Sequence, residues 1–289
     1  MLEVLNEIGL SHRLVVDPLT PSAHGTLTDY REEFERDQIG EWVARSGADF
    51  VSFITADREQ EYSIPGSRGF HVIRDPRDII VSAYFSHRNS HPTDGLDHLA
   101  AHRERLKSVS KNEGLLLEME FSGSELDDLR SWDYDNPDVM ELKMEHLTTR
   151  SYEQFIEIFR FLDLLDEESS YLASRRLGVF FGAMRNRLAK RSSALSGLTR
   201  QTKATPELLL GRVFDHRFEK TSGGRKKGIE DPKSHYRKGV AGDWKNHFTP
   251  EHCRAFLKRF DGLLQVTGYE EDDSWVDDQV ADSVQLGIG

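Results

Sequence analysis

Apolar positions along the 289-residue chain come in two rhythms, short continuous runs and longer stretches spaced three to four residues apart. The runs predict strands and the spaced stretches predict helices with one buried face. Leu2, Leu5 and Ile8 predict a helix over residues 2–9, and Arg13 to Val16 a short strand closed by Asp17-Pro18. Asp29 to Arg45 predicts an amphipathic helix with Phe34, Ile39, Trp42 and Val43 inward, stopped at Ser46-Gly47. Asp49 to Thr55, reading DFVSFIT, predicts a second strand, and after the Pro65-Gly66 turn Phe70 to Ile73 predicts a third. Asp75 then stands at an N-cap with Pro76 in the first helical position, a strong helix start. Helical stretches over 95–130 lead to a strand from Val139 to Lys143. A helix follows from Tyr152 to Leu165, with Phe155, Ile156, Phe159, Leu162 and Leu165 on one face. The Ser/Thr/Lys-rich stretch 189–206 reads as a mobile insertion, and Glu251 to Val266 as the final helix.

Strands alternating with helices of about a dozen residues predict an α/β fold: three layers, with a mostly parallel sheet flanked by helices on both faces. The chain is read as a single domain over 1–289. Ligands in such sheets sit at the carboxyl ends of the strands. The residues following Ile54, Ile73 and Lys143 are therefore where chemistry is expected.

Composition narrows the class. Cys253 is the single cysteine, which excludes an internal disulfide framework and points to a reducing compartment. The N-terminus lacks the basic and apolar regions of a signal peptide, and no apolar run approaches the roughly 18 residues of a membrane span. A cytoplasmic location is expected. Net charge is −12, from 38 Lys+Arg against 50 Asp+Glu, which argues against wholesale nucleic-acid binding. The charges are nevertheless sorted. Arg185 to Lys238 carries 15 Lys+Arg and 5 Asp+Glu, whereas Glu113 to Glu145 carries 2 and 11, and Asp261 to the end has 8 acids and no Lys or Arg. Residues 270–289 form an acidic tail. A basic segment inside an acidic protein suits a multiply anionic small molecule, although a solvated basic helix face would look the same.

Two segments carry recognisable chemistry. In HVIRDPRDIIVSAYFSH, His71 to His87, Arg74 leaves the end of an apolar strand and Ser82 follows eight residues later inside a helix. A guanidinium fork and a hydroxyl suit phosphate. The alternative is that Arg74 pairs with Asp75 or Asp78 while Ser82 is a small packed residue. In HYRKGVAGDWKNHFT, His235 to Thr249, Arg237 and Lys238 precede Gly239, whose conformational freedom lets backbone N–H groups approach an anion. Gly242-Asp243-Trp244 adds a turn and an aromatic anchor; the alternative is an ordinary basic loop.

These two segments, in this order and about 150 residues apart, closely resemble the two 3′-phosphate motifs of sulfotransferases that use 3′-phosphoadenosine 5′-phosphosulfate (PAPS). VMELKMEHLTTRSYEQFIEIFRFL between them is similar to the family's strand-plus-helix block, with Met144 where Tyr is usual. The resemblance runs from Phe50 to Tyr269. It implies a P-loop nucleotide hydrolase-like fold, PAPS as cosubstrate, no metal, and transfer of a sulfuryl group to a hydroxyl or amine. It implies that Arg74 and Ser82 hold the 3′-phosphate, that Arg237, Lys238 and Gly239 close on it from the other side, and that Trp244 and Asp243 support the loop. The partners it implies are PAPS and a small-molecule, lipid or carbohydrate acceptor, with no nucleic acid and no membrane span.

Three departures from the family pattern stand out. The first strand and the 5′-phosphosulfate loop are missing, since Met1 to Glu7 matches the helix that should follow that loop; a truncated chain, or a start placed too far downstream, is the expectation. The family's general base has no histidine counterpart after DFVSFIT, leaving Asp57 and Glu59 as candidates for the role, with His87 as a further one. The family's dimer segment is altered too, for Lys245 and Thr249 are followed by Pro250 and by Arg254 in place of Val and Glu, which argues against a dimer there. The alternative reading is a nucleotide-binding pseudoenzyme or fragment that retains only the 3′-phosphate site. A P-loop kinase relative is disfavoured because no G-x-x-x-x-G-K-[ST] occurs. A nucleic-acid module on residues 185–238 is disfavoured because aromatics are not interleaved with its cations before Phe214.

Overall fold

The computed structural model describes residues 1–10, 12–15, 49–53, 64–167, 203–234 and 236–277, with isolated positions between 40 and 44 and between 177 and 188. Most of the helix expected over 29–45 and the loop carrying Asp57 and Glu59 lie outside the described residues, as does most of 189–206; positions 40, 41 and 44 are helical. Lys203 to Pro206, the end of that stretch, are described. Ala204 forms a parallel bridge with Leu165, and Thr205 caps the next helix.

Helix α1 (Leu2–Glu7) is followed by strand β1 (His12–Val15), which pairs in parallel with β2 (Phe50–Phe53). A second parallel pair joins β3 (Gly69–Ile73) to β4 (Val139–Lys143), with Phe70 opposite Met140 and Val72 opposite Leu142. Every described strand pairing is parallel, as the alternation of runs and spaced stretches predicts. Between β3 and β4 run α2 (Pro76–Asn89), α3 (Asp97–Ser108), α4 (Lys111–Phe121) and α5 (Gly123–Ser131). The stretch expected as helical over 95–130 is thus three helices. One break falls where Ser110 and Glu113 form a reciprocal capping box, which starts a new helix rather than extending the old one.

After β4 come α6 (Met144–Thr149) and α7 (Ser151–Phe161). Helix α7 stops short of the expected Leu165 because Asp163 adopts φ 54°, so Leu164 and Leu165 leave the helix axis and still reach the core. Then follow α8 (Pro206–Asp215), the single turn α9 (Phe218–Thr221), a 3₁₀ turn at Asp243–Asn246, α10 (Pro250–Arg259) and α11 (Leu263–Val266). The expected single helix from Glu251 to Val266 is divided at Gly262, whose φ of 76° no right-handed helix accommodates.

Two apolar cores flank the β3–β4 pair and make the three layers. Phe70, Val72, Met140 and Leu142 face a core built with Val4, Leu5 and Ile8 of α1, Ile158 and Phe159 of α7, and Leu209 of α8. Ile73 faces the other core, where Ile80, Val81 and Tyr84 of α2 pack with α4, α5 and the C-terminal Trp244, Phe256, Phe260 and Trp275. The alternation of side chains along each strand is what sends one set to each layer.

Cys253 is fully buried in this second core, and burial pushes its thiol up to about 11. We expect it to resist thiol reagents in the native state and to react at once in urea, as a timed aromatic-disulfide assay would register; rapid native labelling would contradict the packing of α10.

Candidate functional site

The end of β3 is held by three carboxylates. Asp75 caps α2 by accepting from the Arg77 backbone N–H at 2.9 Å, and it also takes a two-point contact from the Arg77 guanidinium at 3.0 and 2.8 Å. Arg77 is buried, pairs further with Glu270, and lies 3.9 Å from the ring centre of Trp244 and 4.8 Å from that of Trp275. Glu145, just past β4, accepts from the Asp75 backbone N–H at 3.0 Å and from the Tyr269 hydroxyl at 2.7 Å. The exits of two adjacent parallel strands and the C-terminal segment are thereby locked together, and burial beside Glu145 pushes the Tyr269 phenol far up.

Asp78 is the third carboxylate, and it joins the two sequence segments. Its oxygens accept from the backbone N–H groups of Gly242 at 2.7 Å and Trp244 at 2.8 Å, 164 and 166 residues away. Asp78, Ser82 and Phe85 stand at i, i+4 and i+7 on α2 and share one stripe. The loop 237–247 lies along it, for the Arg237 guanidinium sits 4.7 Å from the ring centre of Phe85 and the His247 ring meets the same phenyl edge-on at 5.3 Å. Burial raises the Asp78 carboxyl, a rise opposed by the charge of Arg74 and by the two amides.

Within the loop, Asp243 gathers the cations. It accepts from Arg237 at 2.6 Å, from Asn246 at 2.9 Å, from His247 at 3.2 Å and from Lys238. Burial works to raise this carboxyl, but the hydrogen bonds from Lys238, Asn246 and Arg237 outweigh it and hold Asp243 far below the usual range. The backbone is bracketed by 225–231, since Asp231 N–H and Arg225 donate to the Arg237 carbonyl and Gly228 N–H to that of Lys238. Gly239 adopts φ 69°, and a Cβ there would stand 2.6 Å from the Phe218 ring, so no larger residue fits.

Against this, Arg74 and Ser82 stand apart. Both are half-buried, and neither forms a hydrogen bond or ion pair with any described residue. The ordinary pairing of Arg74 with Asp75 or Asp78 does not occur: Arg77 has taken Asp75, and the loop amides have taken Asp78. Among the described residues a guanidinium at the exit of β3 and a hydroxyl on the stripe where the basic loop is docked are left without a partner. This is a donor set suited to an oxyanion. Trp244 and Asp243 are buried supports, as expected.

His87 does not join this group. Its ring turns to α3 and α4, where Nδ1 lies 2.9 Å from Glu118, which also meets His102 at 2.9 Å and Ser122 at 2.8 Å. One ligand atom from each of His87, His102 and Glu118 lies within 4.8 Å of the others, a spacing a metal ion could bridge, yet the three already satisfy one another. Burial would raise the Glu118 carboxyl, but bonds from His87, His102 and Ser122 hold it below its ordinary value. From the sequence Asp78 is expected only as a possible partner of Arg74, and Glu145 and Phe218 have no expected role. The i, i+4, i+7 spacing of Asp78, Ser82 and Phe85 was the available signal for the first; the other two have meaning only through residues distant in sequence.

The family model described as the sulfotransferase domain matches residues 68–268, and the chain belongs to that family. Among solved structures it is similar to mouse sulfotransferase SULT7A1 complexed with PAP, at 17% identity over 96% of this chain and 94% of that one, with a TM-score of 0.41. No curated protein matches it.

Two outcomes follow for the clamp. Asp78→Ala strands two amides and should lower unfolding free energy by about 2–4 kcal/mol in urea titrations, with Asp78→Asn in between. Burial also lowers the imidazoles of His247 and His252, the latter accepting from Thr249 N–H through Nδ1 and facing the Asn112 carbonyl through Nε2. A histidine lowered in the folded state favours folding while neutral, so this contribution is lost as pH falls below the unfolded value of about 6.5. Those of Glu118 and Asp243 are lost only at lower pH, in the carboxylate range. Urea midpoints should therefore begin to fall between pH 7 and 5.5, and a His247→Gln, His252→Gln variant should flatten that limb.

Proposed function

We propose that this chain transfers a sulfuryl group from PAPS to a hydroxyl or amine of an acceptor, with Arg74, Ser82, Arg237, Lys238 and Gly239 holding the 3′-phosphate. The observation that carries the reading is a pair of donors without a partner among the described residues, Arg74 at the exit of β3 and Ser82 on the helix stripe to which Asp78 ties the basic loop. Arg237 and Lys238 are pre-oriented by Asp243, so a phosphate would meet cations already fixed in place and would exact little side-chain entropy. Gly239, required by its φ of 69° and by the Phe218 ring packed against it, holds the loop backbone in the shape proposed for the same anion site.

Sulfuryl transfer resembles phosphoryl transfer in that positioning and charge neutralisation carry most of the work, while a base removes the acceptor proton. Asp57 and Glu59 are the proposed base candidates. Residues 88–112 and 166–215 are the segments proposed to shape the acceptor pocket. A cytoplasmic location fits the single buried thiol and the absence, among the described residues, of a helix long and apolar enough to cross a membrane.

The test is a thermal-shift titration with adenosine 3′,5′-bisphosphate against adenosine 5′-monophosphate. A ligand at a hundredfold excess over its Kd adds about 2.7 kcal/mol of stability. Wild type should respond selectively to the bisphosphate, while Arg74→Ala and Arg237→Ala should respond little. Release of labelled sulfate from PAPS to an acceptor panel then tests turnover. An absent wild-type shift would overturn the reading, and a shift without turnover on any acceptor would favour a binding protein.

A further inference from the structure

Glu118 is a carboxylate for which the anion site has no use. It lies on α4 beside Leu115 and Met119 of the apolar core, and its side chain is 0% exposed. Burying a carboxylate is costly unless a counter-charge and hydrogen bonds accompany it. Among the described residues no Lys or Arg pairs with Glu118. Its partners are the Ser122 hydroxyl and two imidazoles, and an imidazole supplies hydrogen bonds while neutral but a counter-charge only when protonated. Arg103, next to His102 in sequence, is spent elsewhere, on the backbone carbonyls of His87 and His91.

Three helices aim these groups at one point. His87 comes from the last turn of α2, His102 from α3 and Glu118 from α4. Packing holds the two rings in place: Phe121 stacks on His102 with 3.8 Å between ring centres and 5° between planes, and meets His87 edge-on at 5.4 Å. The Arg103 guanidinium, 2.6 Å from the His87 carbonyl, fixes the backbone that carries the first ring. The two ring nitrogens each lie 2.9 Å from a different oxygen of Glu118, and one donor atom from each of the three side chains lies within 4.8 Å of the others. Zinc bonds of about 2.0–2.2 Å separate tetrahedral ligand atoms by about 3.4 Å, inside that range. The side chain of His87 is 17% exposed against 6% for His102, so the trio opens to solvent at that edge.

We propose that His87, His102 and Glu118 bind a divalent transition-metal ion, zinc foremost, with solvent completing its coordination. Two imidazoles and one carboxylate form a donor set that selects zinc or cobalt(II) over magnesium and calcium, hard ions that take oxygen ligands. The ion supplies a permanent positive charge beside the buried carboxylate. Each imidazole turns a lone pair to the metal where it now donates a proton to Glu118, that proton moving to the other ring nitrogen. Ser122 keeps its hydrogen bond to the carboxylate and orients it from outside the coordination shell. The last turn of α2 is thereby tied to α3 and α4. This site is separate from the anion site and does not rest on the sulfotransferase reading.

The test uses the full chain, stripped with EDTA, dialysed into metal-free buffer and titrated with zinc in competition with a chromophoric chelator. Wild type should take up one zinc per chain with a Kd of about 1 µM or tighter, and one equivalent should raise its Tm. Cobalt(II) in place of zinc should give visible ligand-field bands of a nitrogen–oxygen site. His87→Gln and Glu118→Gln should each weaken uptake about a hundredfold or more and remove the rise in Tm. His98→Gln, which changes an exposed ring on the same α3, should alter neither. Urea midpoints of the metal-free variants establish that they are folded, and His87→Gln, at the half-buried edge, keeps the test decisive should the buried Glu118→Gln unfold. Absence of stoichiometric uptake by wild type, uptake retained by His87→Gln and by folded Glu118→Gln, or uptake lost in His98→Gln instead would overturn the proposal. So would displacement of the zinc by millimolar magnesium. Failure of the bisphosphate titration would count against the sulfotransferase reading and leave this result unaffected.

Discussion

The carboxylate of Asp78 holds the functional half of the molecule together. It sits in the first turn of α2, buried, and satisfies the Gly242 and Trp244 amides of a loop 164 to 166 residues further along. Buried backbone donors without a partner are costly, so the loop must either find this acceptor or stay in water. Once it docks, Trp244 enters the core beneath the Arg77 guanidinium, and Arg237 comes to rest over Phe85. The cations of the loop and the donors of the helix then share one surface.

The same region keeps its charges sorted by pairing some and sparing others. Asp75 is consumed by Arg77, Asp78 by backbone amides, and Asp243 by Arg237, Lys238 and His247. Each carboxylate has a structural use, and none neutralises Arg74. Had Asp78 been free to rotate toward Arg74, an ion pair would have consumed the guanidinium. The amides that fix Asp78 in place also leave Arg74 only a longer-range attraction to it. The hydrogen bonds that dock the loop are thus the ones that keep Asp78 from Arg74.

Much of this was legible in the chain. Apolar runs and spaced stretches placed β2, β3, β4, α2 and α7 within a few residues, because period-two and period-3.6 patterns report local burial. Asp75-Pro76 marked the start of α2 because capping is a local interaction. The breaks were less visible. The capping box at Ser110, the left-handed Asp163 and Gly262 each end a helix at a place where hydrophobic spacing alone continues. The basic segment was visible as a charge imbalance.

By itself the sequence determined the residue types of the site and their order: a fork and a hydroxyl after one strand, two cations and a glycine before a Gly-Asp-Trp turn. It also determined the α/β alternation that puts strand ends where ligands bind. Only the tertiary structure decided which charges were spent. Arg74 near Asp75 and Asp78 reads in one dimension as a local ion pair. In three dimensions a guanidinium three residues on and amides more than 160 residues away take both acids first, and Arg74 and Ser82 are left without a partner among the described residues. Hydrogen bonds are won by geometry, which distance along the chain does not encode.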